Sequence, residues 1–139
     1  MFNFFSNDST YENISVNEAV TILDERPNDV LMLDVRTPEE FQQGNVEGSK
    51  LLPLQVFAQK IQALDEYKDK EVLIICRSGS RSGVAASYLS KSGFSKVKNI
   101  SGGLMSWYQS GYPIVPGSST EILKGIGSFS RQDTVTASV

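Results

Sequence analysis

Glu71-Val72-Leu73-Ile74-Ile75-Cys76-Arg77-Ser78-Gly79-Ser80-Arg81-Ser82 is the stretch whose reading decides the fold. Its first half is a short, nearly all-apolar run, the pattern of a strand covered on both faces. Its second half is a loop rich in serine and glycine. Behind the loop, Val84, Ala85, Ala86, Tyr88 and Leu89 take helical spacing, and Gly93 can end that helix. A buried strand, a polar loop and a helix in that order form one unit of an α/β domain.

Similar signals lie on either side. Val30-Leu31-Met32-Leu33-Asp34-Val35 is a second all-apolar strand candidate, Val97–Ile100 a third, and Ser49–Leu52, stopped by Pro53, a short fourth. Helices are expected between them. Ser15-Val16-Asn17-Glu18 has capping-box spacing ahead of Ala19, Val20, Ile22 and Leu23, with an end near Arg26 before Pro27. Thr37-Pro38-Glu39-Glu40 opens another helix with a hydroxyl cap, a proline at the first turn and acids at the positive end. Phe57, Ile61 and Leu64 give residues 55–67 helical spacing, and Leu104–Ser110 is the last helix, bounded by Gly102-Gly103 and Gly111. Strands alternating with helices predict a largely parallel central sheet.

The ends read differently. Met1-Phe2-Asn3-Phe4-Phe5 is apolar but brief, lacks a basic flank and runs at once into Asn7 and Asp8. It reads as a packing segment and not as a signal peptide, so a cytoplasmic location is expected. Residues 11–115 are expected to form the domain, with 1–10 as an N-terminal segment and 116–139 as a flexible tail dominated by Ser, Thr and Gly.

The chain has 139 residues, 40% of them hydrophobic, and a net charge of −3. That suits one globular domain large enough to bury about two thirds of its unfolded surface. An acidic balance with 13 Lys and Arg gives no broad nucleic-acid footprint. The longest apolar runs fall far short of the roughly 18–20 residues that cross a bilayer as a helix. A single cysteine excludes an internal disulfide and a cysteine metal cage, and zero histidines exclude imidazole bases and histidine ligands. No metal and no cofactor are expected, and monomer is the default state.

The chemistry therefore falls on Cys76 and its loop. Loops at the carboxyl ends of parallel strands are where open sheets bind ligands. A tight turn there can aim successive N–H groups inward as an anion nest at the positive end of a helix. Gly79 can take a backbone conformation with positive φ, and Arg77 and Arg81 add permanent positive charge. A free thiol near pKa 8.5 is only a few per cent ionised at pH 7, and each tenfold gain in the ratio of thiolate to thiol takes about 1.4 kcal/mol. Alone, Cys76 would read as a small buried hydrophobe and the arginines as solvated surface groups. Side by side, they read as an anion site around a nucleophile.

With those residues the chain resembles the single-domain members of the rhodanese-like sulfurtransferase family, over about residues 11–115. The likeness is carried by Cys76–Ser82, by Asp34-Val35-Arg36-Thr37-Pro38-Glu39-Glu40-Phe41, by the Gly44–Gly48 turn, by Leu52-Pro53-Leu54, and by Ile100-Ser101-Gly102-Gly103 with Trp107. The resemblance implies a five-stranded parallel sheet flanked by helices, and Cys76 as the carrier of a sulfane sulfur held as a persulfide. The family's usual Gly-His-Ile turn reads Gly44-Asn45-Val46 here, a change expected to touch surface recognition at most.

The expected reaction moves sulfur from thiosulfate or a persulfide to cyanide or a thiol, with a protein acceptor possible. The N–H groups of residues 77–81 would hold the persulfide, with Arg77, Ser78, Gly79, Ser80, Arg81 and Ser82 as the binding loop. Asp34 and Arg36 read as scaffold, Arg36 being able to pair with Glu39 or Glu40. Gly102-Gly103 reads as a close-packing turn and Trp107 as core. The scheme needs a sulfur that is ionised near neutrality and open to solvent. Two rivals stand beside it: a binding or sulfur-carrier module acting with a protein partner, and a cysteine phosphatase or arsenate reductase. Against the last, Cys76 and Arg81 enclose four residues where the related phosphatases use five, and there is no second cysteine.

Overall fold

The computed structural model describes residues 11–117. Five strands form one parallel sheet: β1 (Glu12–Ile14), β2 (Val30–Asp34), β3 (Lys50–Leu51), β4 (Glu71–Ile75) and β5 (Lys96–Ile100), in the order β1-β5-β4-β2-β3. The helices are α1 (Val16–Glu25), α2 (Pro38–Gln43), α3 (Phe57–Lys60), α4 (Ser80–Lys91) and α5 (Gly103–Gln109). Because every pairing is parallel, the carboxyl ends of β2, β4 and β5 meet at one edge, and the loops that follow them cluster there.

Side chains alternate between two buried faces, as a pleated strand requires. Leu31, Leu33, Val72, Ile74 and Cys76 pack with Ala85, Ala86 and Leu89 of α4 and with Phe41, Phe57 and Leu64. Met32, Leu73 and Ile75 face the other way, against Val16 and Ala19 of α1 and Trp107 of α5. The helices thus cover both faces, and Val72, Leu73, Ile74 and Ile75 are wholly buried. Trp107 is core, its Nε1 donating to the Pro113 carbonyl at 3.1 Å.

The helix starts follow the sequence cues. Ser15 with Glu18 and Thr37 with Glu40 both form complete capping boxes. Three local expectations are modified. Residues 54–67 form no single helix: Leu54–Val56 and Ile61–Tyr67 are 3₁₀ turns on either side of α3. The apolar residues there are spaced by three at both ends (Leu54 to Phe57, Ile61 to Leu64), and 3₁₀ geometry puts i and i+3 on the same side. The strand expected over 49–52 shrinks to Lys50–Leu51, because the Ser49 N–H and Oγ both turn back to the Val46 carbonyl. The fifth strand, β1, is three residues long and carries no readable alternation.

Gly117, placed in the tail by composition, donates its N–H to the Gln42 carbonyl, and Val115 pairs antiparallel with Asn45. The segments 1–10 and 118–139, with their expected packing and tail roles, lie outside the described residues. Among the described residues no helix is long and apolar enough to cross a membrane.

Candidate active site

Cys76 follows the last residue of β4 and sits at the floor of the loop that leads into α4. Gly79 caps that helix in the left-handed region, with φ 109°, which a side chain would resist. This turn brings the Gly79 N–H to 3.1 Å from Cys76 Sγ. The Ser82 hydroxyl, wholly buried in the first turn of α4, donates to the same sulfur at 3.3 Å. Burial pushes the Cys76 thiol up, but the Ser82 hydroxyl and the N–H groups of Ser82, Gly79 and Ser78 outweigh it. The net effect holds the thiol below its ordinary value.

The loop is gripped from behind. Leu104 N–H donates to the Cys76 carbonyl at 2.8 Å and Met105 N–H to the Arg77 carbonyl at 3.0 Å. So close an approach needs Gly103: at φ 58° a Cβ there would lie 2.5 Å from both carbonyl oxygens. Gly102-Gly103 is the close-packing turn expected from the sequence.

The loop residues part into different roles. Arg77, Ser78 and Ser80 are exposed. Ser82 touches the sulfur and not solvent. Arg81 is held by Glu40 of α2 through two bonds, Nη1 to Oε1 at 2.8 Å and Nη2 to Oε2 at 3.0 Å. This overturns an expectation. The pairing foreseen for Arg36 with Glu39 or Glu40 does not form: Glu40 goes to Arg81, while Arg36 bonds Asp34 through Nε and Nη2 and reaches the Gly44 carbonyl at 2.7 Å. Asp34 and Arg36 are both buried. The groups that pull the Cys76 thiol down are the Ser82 hydroxyl and the loop N–H groups, and the charge on Cys76 acts in turn on Arg81.

A further correction concerns access. Cys76 is 0% exposed. The contacts that favour the thiolate also cover it, because the loop must fold over the sulfur for Gly79 and Ser82 to reach it. A reagent can meet the sulfur only when the segment 77–81 parts.

Two further residues join the site's framework, and neither role is expected from the sequence. Asn99 on β5 is buried, and its Nδ2 donates to the Gly79 carbonyl at 3.3 Å and to Asn13 Oδ1 at 2.9 Å. The strand also carries Lys96 and Lys98, so its sequence does not single Asn99 out. Asn45, expected to touch only surface recognition, is 2% exposed, and its Nδ2 donates to the Phe41 carbonyl at 2.8 Å, closing the end of α2.

The structure thus joins a parallel α/β sheet to a lone cysteine at a strand's carboxyl end, its sulfur met by the Gly79 N–H and the Ser82 hydroxyl. The chain belongs to the rhodanese-like domain family, whose model matches residues 15–110. It is 40% identical over 87 residues to a protein of Allochromatium vinosum named sulfurtransferase, covering 63% of this chain and 79% of that one. It is 32% identical over 97 residues to the thiosulfate sulfurtransferase GlpE of Pseudoalteromonas translucida, covering 70% and 89%. Among solved structures, a rhodanese-related protein of Thermoplasma volcanium superposes with TM-score 0.66 at 33% identity, over 77% of this chain and 100% of that one. Family and relatives support a sulfurtransferase-type function.

Proposed function

We propose that the chain carries a sulfane sulfur on Cys76, taking it from thiosulfate or a persulfide and passing it to cyanide or an acceptor thiol. The observation that carries this reading is the pair of donors on Cys76 Sγ, the Gly79 N–H and the Ser82 hydroxyl, at the end of a buried strand.

In the first half-reaction a lone pair of the Cys76 thiolate forms a bond to the donor's outer sulfur. The donor's own S–S bond breaks, and its electron pair leaves with sulfite or with a thiolate. The product is the persulfide anion Cys76–S–S⁻, its terminal sulfur about 2 Å beyond Sγ. In the second, cyanide or a thiolate attacks that terminal sulfur and returns the Cys76 thiolate. No general base is needed when the nucleophile is already ionised, which fits a chain with no histidine. The loop amides that favour the thiolate would also favour the persulfide anion.

Mass spectrometry after thiosulfate or persulfide treatment tests the reading: a gain of roughly 32 Da on the Cys76 peptide is expected for persulfidation. Cys76→Ser should show none and should transfer no sulfur. Turnover in that variant, or no mass gain in the native chain with either donor, removes Cys76 from the chemistry. A phosphate monoester assayed alongside should be left intact, because four residues between Cys76 and Arg81 leave little room for a phosphoryl group over the sulfur.

A further inference from the structure

Glu40 is placed where it decides how much positive charge the site offers. Its two oxygens are both committed to Arg81, and Oε1 also accepts from the Thr37 N–H and hydroxyl at 3.1 Å. The carboxylate is thus pinned by its own helix start and by the loop arginine. Arg81 is held in turn, with both terminal nitrogens on Glu40. The hydrogen bond to Arg81 leads in pulling the Glu40 carboxyl down to about 2, so it stays charged through the neutral range. Arg77, exposed at the mouth, pairs with no acidic side chain among the described residues.

Resting on the sulfur-transfer reading, we propose that Glu40 is a specificity-determining residue that selects slender, singly charged persulfides over thiosulfate as sulfur donors. Thiosulfate brings two negative charges, and its sulfonate oxygens sit on the atom next to the transferred sulfur. It needs cationic partners around a wide head at the loop mouth. Glu40 neutralises one of the two arginines available and occupies the guanidinium edge that would bind sulfonate bidentately. A persulfide R–S–S⁻ carries one charge, and the sulfur behind the transferred atom has a single further substituent. It makes a smaller demand on both charge and width at a covered sulfur.

The loading step balances in either case. Cys76–S⁻ with R–S–S⁻ gives Cys76–S–S⁻ and R–S⁻. Cys76–S⁻ with thiosulfate gives Cys76–S–S⁻ and sulfite. Only the charge arriving at the loop differs, by one unit.

Glu40→Gln tests the proposal while keeping the helix cap, since glutamine also serves the capping box. Single-turnover loading of Cys76 is followed by mass, with thiosulfate and with 2-hydroxyethyl persulfide, whose only charge is on the persulfide, in the native chain and in E40Q. The native chain should load faster from the persulfide. In E40Q the ratio should move toward thiosulfate by roughly five- to thirtyfold, the effect of one charge at about 8 Å near a protein surface. Thiosulfate loading should also fall more steeply with salt in the variant than in the native chain. An unchanged ratio, including one in which both donors load equally more slowly, overturns the proposal and leaves Glu40 as a clamp on Arg81. No loading of the native chain by either donor would overturn the sulfur-transfer reading and this proposal with it.

Discussion

Asn99 and Gly79 are joined by a 3.3 Å hydrogen bond from the asparagine Nδ2 to the glycine carbonyl, so a strand next to β4 steadies the residue that donates to Cys76 Sγ. The same carbonyl accepts the Gly83 N–H at 3.1 Å, so the contact is a brace and not its sole partner. Asn99 Oδ1 is itself buried with no partner among the described residues. Asn99→Ala should therefore lower stability by only about 1 kcal/mol, as a lost hydrogen bond is offset by removal of an orphaned oxygen. It should nevertheless move the pH profile of Cys76 alkylation upward. A stability loss with an unmoved profile would make Asn99 a packing residue.

Ser82→Ala removes the hydroxyl that does most among the hydrogen bonds to hold the Cys76 thiol down. The thiol should rise, and iodoacetamide alkylation at pH 7 should slow by about three- to tenfold as the thiolate fraction falls. In the native chain, alkylation should rise with pH through a midpoint below the ordinary thiol value near 8.5. A midpoint at or above that ordinary value would show the thiol to be unassisted.

Gly103→Ala would force a Cβ to 2.5 Å from the Cys76 and Arg77 carbonyls, in a backbone region that alanine disfavours. Neither contact can be relieved by a flexible side-chain end. A loss of about 2–4 kcal/mol in urea unfolding is expected, with sulfur loading reduced more than for an equally destabilising substitution far from the loop. Gly111→Ala serves as the comparison. It also has positive φ, 89°, but its added Cβ would meet nothing within 4 Å.

The Glu40 carboxyl, held at about 2, lies below the ordinary carboxylate range near 4.3. A folded-state value below the unfolded one means the bridge stabilises fully above that range and fades as pH falls toward 2. Unfolding free energies of the native chain and E40Q should differ at pH 7 and converge by about pH 2. The side chains of Arg81 and Glu40 are 35% and 29% exposed, so the gap should be modest and should narrow in salt. A gap that is constant with pH would assign the effect to shape instead of charge.

How much of this was legible can be judged residue by residue. The runs at 30–35 and 71–76 declared buried parallel strands, and Ser15 and Thr37 declared helix starts, because those signals are local. Cys76 and Gly79 were readable for the same reason, since the loop that joins them is contiguous. The partners of Arg81 and Arg36 were not, because Glu40 lies 41 positions from Arg81 and only the fold decides which acid each arginine meets. Asn13 and Asn99 meet across 86 positions, along a pairing with a three-residue strand that has no pattern of its own. The covering of the sulfur was equally hidden, for it depends on how far the loop closes.

The bonds from Leu104 and Met105 to the Cys76 and Arg77 carbonyls sort the loop's peptide groups into two sides. Electron-rich oxygens are anchored toward the protein interior by α5, which leaves electron-poor amides to face whatever arrives. The sulfur's surroundings thus combine main-chain amides, secured from the rear, with one side chain, the Ser82 hydroxyl. The side chains at 77, 78 and 80 are exposed and take no part in those bonds, so they can vary without rebuilding them.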